Sequence, residues 1–188
     1  MRLLQKPIRE LVLFYAVLNQ KTIVSCAFTI FSRPLLEYNS LIWSPRDTLV
    51  YLKDKLESVQ RRCTKRLNGF GRISYAARLD RLKAETLELR RFKSDLTMMF
   101  SFIRSFVDID CNSLLHIIDC ESIHTRGHNL RFYKEHGNVN CRLNTFVCRN
   151  IEVWNRSPAH VVNSDSVAVF KHRLACVNLV NFCSSGTY

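Results

Sequence analysis

Acidic side chains are scarce in this 188-residue chain, where 16 Asp plus Glu stand against 28 Lys plus Arg and the formal net charge is +12. A surplus that large points to a polyanionic partner such as nucleic acid rather than to an acidic small molecule, and it is silent about the fold. Long apolar runs are lacking as well. The stretch Leu11–Leu18 falls far short of the roughly 20 residues a membrane-spanning helix needs. The charged MRLLQKPIRE before it resembles the start of a signal peptide, yet Asn19-Gln20-Lys21 follows without a small-residue cleavage site. Pro7 suits the first turn of a helix. The expectation is a soluble intracellular protein, nuclear or cytoplasmic, with no membrane partner.

Chemistry-bearing motifs are equally sparse. No Cys-x-x-Cys occurs, and the eight cysteines, spread from Cys26 to Cys183, show no framework-like clustering. They read as reduced thiols, several of them in the core. His116, Cys120, His124 and His128 are spaced by four, with Cys111, His136, Cys141 and Cys148 nearby. Gly127 interrupts any helix that would align them, so the reading is scattered His and Cys in a basic loop, and no metal ligand is assigned. His160 and His172 lack a nucleophile and an orienting acid. Gly69-Phe70-Gly71 is followed by Arg72 and lacks the Gly-Lys-Ser/Thr ending of a phosphate loop, which leaves it a helix C-cap and hinge. Neither an internal repeat nor a low-complexity run is present.

What the chain does have is helical periodicity. From Asp47 to Gly69, the residues Leu49, Leu52, Leu56, Val59, Cys63 and Leu67 fall at steps of three and four and predict one apolar, core-facing stripe. Asp47 stands at the N-cap and Gly69 at the C′ position. At about 100° per residue, Arg61 and Lys65 project away from the stripe, with Lys55, Arg62 and Arg66 flanking it. A solvated outer face is the bland reading of such a helix; the charge of the whole chain favours a binding surface. A second helical region, Thr22–Trp43, is expected to break at Pro34. Ser44-Pro45-Arg46-Asp47 reads as a turn. A short helix over Ser74–Leu82 precedes the cleanest periodicity in the chain, Glu85–Val107, where Leu89, Phe92, Leu96, Met99, Phe100, Ile103, Phe106 and Val107 share a face. That helix is expected to pack on the basic one.

Beyond Asp108 the texture is polar and basic. Ile109–Ile118 allows a short helix, and Asn129–Tyr133 with Val139–Leu143 allows a short β-hairpin within 129–143. Phe146–Asn155 returns to helical spacing, and a last helix is expected from an N-cap at Ser164 through Val177. The fold class is mainly α, an irregular helical bundle, divided into a thumb-like helical domain over 1–108 and a basic loop or hairpin with C-terminal helices over 109–188.

Several of these residues carry a resemblance. Arg33-Pro34-Leu35-Leu36-Glu37-Tyr38-Asn39-Ser40, Ile42-Trp43-Ser44-Pro45 and Leu56-Glu57-Ser58-Val59-Gln60-Arg61-Arg62-Cys63-Thr64-Lys65-Arg66 are similar to the region after the polymerase palm in reverse transcriptases of LINE-type, non-LTR retrotransposons, especially the jockey-like group. Ser74-Tyr75 with Arg78-Leu79, Leu87–Arg91, Thr125-Arg126-Gly127-His128, Trp154-Asn155-Arg156-Ser157-Pro158, Val161-Val162, Ser166-Val167 and Phe170-Lys171 continue it in order over about Phe14–Val177. The chain departs from that pattern at Ile42, where the family commonly has valine, and at Ser157, where it commonly has leucine.

The resemblance implies a thumb-like, C-terminal segment of an RNA-directed DNA polymerase that grips template and nascent cDNA. Such a polymerase holds paired Mg²⁺ on clustered carboxylates, and no Asp-Asp occurs here; Asp108 and Asp110 lie in an ordinary linker. The expectation is therefore a catalytically incomplete fragment, not itself an enzyme, with no cofactor, Mg²⁺ belonging to the parent polymerase only. Its expected partners are RNA, DNA or their hybrid, and the upstream palm domain. The expected contacts are Lys55, Arg61, Arg62, Lys65 and Arg66, with Arg126, Arg131 and Arg142 as a second patch. The alternative is a helical protein-interaction module, or a transposon relic without function.

Overall fold

The structure, a computed structural model, describes residues 23–44, 50–107, 115–116, 128–134 and 145–179. In chain order these form a π-helical turn, Phe28–Ser32, then α1 (Arg33–Glu37), α2 (Ser40–Trp43), α3 (Val50–Lys65), α4 (Tyr75–Leu82), α5 (Leu87–Ile103), α6 (Phe146–Arg156), α7 (Ala159–Val162) and α8 (Val167–Ala175). The protein is mainly α, an irregular assembly of helices without a regular strand among the described residues. These residues fall into two compact units, one within Met1–Tyr38 and Tyr51–Leu87, the other within Asn39–Val50 and Glu88–Thr187. The chain passes from one unit to the other after Tyr38, after Val50 and after Leu87.

In the first unit the helical path does not stop at Pro34. The π turn widens the backbone so that the Arg33 N–H reaches the Phe28 carbonyl, and Pro34 enters in the first turn of α1, where its missing N–H costs nothing. The chain turns later, at Asn39, whose φ of 51° is left-handed, a conformation Asn tolerates better than most residues. Phe28 is buried, whereas Ile30, Phe31 and Leu35 are exposed.

α3 departs most from expectation. Its buried positions are Lys53, Glu57, Gln60 and Thr64, a polar seam at steps of four, three and four, while Leu52 and Val59 of the predicted core stripe face solvent. Hydrogen bonds satisfy most of the seam, the Gln60 Oε1 being left without a partner. Glu57 accepts from the Leu87 N–H (3.1 Å) and from the Tyr75 hydroxyl, and the Gln60 Nε2 donates to the Glu85 carbonyl (2.9 Å). Buried polar groups are tolerated on that condition. The helix ends at Lys65, and Leu67 and Phe70 then close successive turns, the Phe70 N–H donating to the Leu67 carbonyl at 3.0 Å. Gly69, at φ +80°, supports that turn and is not the C′ residue. The Asp47 cap and the turn at 44–47 reach into residues outside those described. α4 begins as expected, with Ser74 Oγ accepting from the Ala77 N–H (3.3 Å).

The second unit holds the main core. α5 supplies Leu96, Met99 and Phe100, α6 Ile151 and Trp154, α7 Val161 and Val162, and α8 Phe170 and Leu174. Phe100 stacks on Phe170 with ring centroids 4.3 Å apart, an arrangement that adds to plain area burial. The apolar stripe of α5 is therefore core, as its periodicity predicts, but its partners are the C-terminal helices. The helix ends at Ile103, and the chain then turns at Ser105, φ 54°, leaving Phe106 exposed.

Segment 128–134 makes no hairpin with a strand among the described residues, the second arm lying outside them. It is bound to the end of α6 instead. Asn155 receives the Phe132 N–H on Oδ1 (3.0 Å) and donates through Nδ2 to the Phe132 carbonyl (2.8 Å), while Trp154 Nε1 donates to the Leu130 carbonyl (2.8 Å). Ser157 closes the helix, its hydroxyl donating to the Val153 carbonyl (2.9 Å) and its N–H to the Trp154 carbonyl (3.0 Å). The last helix starts later than expected. Ser166 is its cap, accepting from the Val169 N–H, whereas Ser164 is buried and donates to the Val161 carbonyl.

Candidate nucleic-acid interface

α3 and α4 lie in one unit and converge on an open hollow of about 500 Å³. Arg61, Arg62 and Lys65 approach it from α3, Arg72 from the intervening loop and Arg78 from α4. Its lining contains no carboxylate. The convergence follows from the rotation of α3: with Glu57, Gln60 and Thr64 turned inward, Arg61 and Lys65 come to lie beside the seam, on the side of the hollow.

The cations differ in how they are held. Arg61 is half-buried, pairs with Asp54 at 3.1 Å and lies 5.4 Å from the Tyr75 ring centroid. Arg78 is 6% exposed; its Nη1 donates to the Ile73 carbonyl (3.0 Å), and its guanidinium lies 5.5 Å from the same ring. Both guanidiniums thus rest on the negative face of one aromatic ring. Tyr75 in turn stays a neutral phenol, since burial, and then its hydrogen bond to Glu57, push its pKa far up. Arg62, Lys65 and Arg72 are exposed. The rim is exposed charge, and the floor is charge held by hydrogen bonds and the Tyr75 ring.

Of the other expected contacts, Lys55 is exposed on α3 and lies 4.7 Å above the Tyr51 ring, and Arg66 is exposed just past the helix end; neither lines the hollow. Arg131 belongs to the other unit and is half-buried there. Arg126 and Arg142 lie outside the described residues, so the second patch is represented by Arg131 alone. Arg72 and Arg78 were not among the expected contacts. The available signal was a glycine-flanked loop running into a serine N-cap, which marks a helix start that can receive an anion.

The spaced His and Cys group resolves in part. His128 is buried, with Nε2 donating to the Trp154 carbonyl at 3.0 Å and the ring edge-on to the indole. Burial holds its pKa below the usual histidine value. Its proton is therefore structural, pinning segment 128–134 to α6. Cys120 and His124 lie outside the described residues. Among the described residues, Cys26, Cys63, Cys148 and Cys176 are free thiols, of which Cys148 alone is buried. Also among the described residues, no helix is long and apolar enough to cross a membrane. The chain matches no protein-family model, and no curated protein or solved structure is significantly similar to it.

Proposed function

We propose that this chain binds RNA, DNA or their hybrid through the basic surface of α3 and α4, as a catalytically incomplete, thumb-like segment of a retrotransposon-type RNA-directed DNA polymerase. One observation carries the binding part of the reading: five cations converge on a hollow without an acidic side chain in its lining. Surface cations normally alternate with carboxylates, and a one-signed concavity focuses the field on an anion. The polymerase part rests on the residue resemblance and on the absence of an Asp-Asp pair from the sequence.

The test is the affinity of the purified chain for an RNA-DNA hybrid, duplex DNA and single-stranded RNA over a salt series. Binding should be sequence-tolerant and should weaken steeply with salt, since phosphate contacts release counterions. Absence of binding to all three at low salt would remove the reading. A helical protein-interaction module is the second reading, favoured by Phe31 and Leu35, which are 70% and 79% exposed. An upstream palm domain would cover the same side chains under the first reading.

A further inference from the structure

Resting on that reading, we infer that the hollow between α3 and α4 is a seat for a single phosphate group of the bound strand, with Arg78 and the first turn of α4 as its floor. A groove that only tracks a backbone needs exposed cations in a row, and it needs nothing buried. Here one of the cations is buried at 6% exposure, and among the described residues it pairs with no carboxylate. Its Nε is fully buried without a hydrogen-bond partner. A buried guanidinium without a counter-charge is costly, and an anion in the hollow that Arg78 lines would offset that charge.

The start of α4 supplies the second half of the seat. Ser74 Oγ takes the Ala77 N–H, and the N–H groups of Tyr75 and Ala76, in the first turn, have no partner within the helix. They carry the positive end of the helix dipole, and Ser74 and Tyr75 line the same hollow as Arg78. Its volume is in the range of small-ligand sites, enough for a phosphate together with the nucleotide that bears it. The Tyr75 ring is occupied by Arg61 and Arg78, so recognition falls on the phosphate and not on base stacking. The phosphate can be the monoester at a strand end or a diester within the strand.

The experiment compares 12-nucleotide single-stranded DNAs, labelled at the 3′ end and carrying either a 5′-phosphate or a 5′-hydroxyl, by fluorescence anisotropy. It uses the full chain, Arg72→Gln, Arg78→Gln and the charge-matched Lys171→Gln on α8. Arg72 is exposed, so its variant keeps the test alive if Arg78→Gln fails to fold. Arg72→Gln, and Arg78→Gln where it folds, should weaken binding about tenfold, the worth of one charge-assisted bond, with Lys171→Gln within about twofold of the parent. A preference for the 5′-phosphate that disappears in Arg72→Gln identifies a strand end, and equal loss on both oligonucleotides identifies an internal phosphate. Salt-dependent binding by the parent with Arg72→Gln indistinguishable from Lys171→Gln would overturn the seat and leave the broader reading standing. No binding by the parent would overturn both.

Discussion

Arg149 shows how much a single side chain can hold. It pairs with Asp95 at 2.8 Å, both groups nearly inaccessible, and its Nη2 also donates to the carbonyls of Ser40 (3.2 Å) and Leu41 (2.7 Å). Burial nonetheless pushes the Asp95 carboxyl up to about 6, against the downward pull of the Arg149 guanidinium. Removing one partner strands the other, so Arg149→Ala should cost about 3–5 kcal/mol in chemical denaturation. His128 gives a pH dependence of known sign. Its folded pKa lies below the usual histidine value, so the unfolded chain binds more protons and stability falls as the pH drops from about 6.5. Asp95 acts oppositely, losing its contribution as the pH rises through about 6. The difference curve between the parent and His128→Gln isolates the histidine: the parent's advantage should shrink toward acid, and a pH-independent gap would contradict the burial of the ring.

At the scale of elements, the helices themselves were legible and their faces were not always so. α5 and α6 follow their apolar periodicity because Leu96, Met99, Phe100, Ile151 and Trp154 have no alternative to burial. α3 has two candidate faces, and periodicity alone ranks the Leu52–Val59 side above the Glu57–Gln60 side. The buried side wins because Tyr75, Glu85 and Leu87, distant in sequence, offer hydrogen bonds to it. No local pattern announces such partners. Leu52→Asp should therefore leave the melting curve near that of the parent, while Phe100→Asp should unfold the chain by burying an unpaired charge. For the interface, changing Arg62, Lys65 and Arg66 together to Ala should weaken nucleic-acid binding. The log–log salt slope should flatten by roughly 0.9 for each duplex phosphate that the variant no longer neutralises. The helical circular-dichroism signal should not change, since all three side chains are exposed.

For the molecule as a whole, a formal charge of +12 acts on folding and on binding in opposite directions. Self-repulsion opposes compactness, and salt screens it. The melting temperature should rise as salt increases from about 10 mM to about 200 mM, over the same range in which binding to nucleic acid declines. A melting temperature that falls with salt would mean that surface ion pairs outweigh the repulsion. The division of the chain was less legible at this scale than the helices were. The change in texture after Asp108 is real in composition, and α5, before it, supplies Leu96, Met99 and Phe100 to the core shared with α6, α7 and α8. Arg72 and Arg78 escaped notice for a related reason. Neither lies on the basic helix, and only the fold brings them to it.

The polar seam of α3 also acts as a rotational index. An oily stripe slides and turns with little penalty, because one apolar contact replaces another. Glu57 and Gln60 each have a fixed address on the neighbouring backbone, at Leu87 and Glu85, so a turn of one residue would break both bonds together. The orientation of Arg61 and Lys65 toward the hollow is in this way set from the neighbouring face of the helix, and a leucine at position 57 or 60 would loosen the aim of the cations.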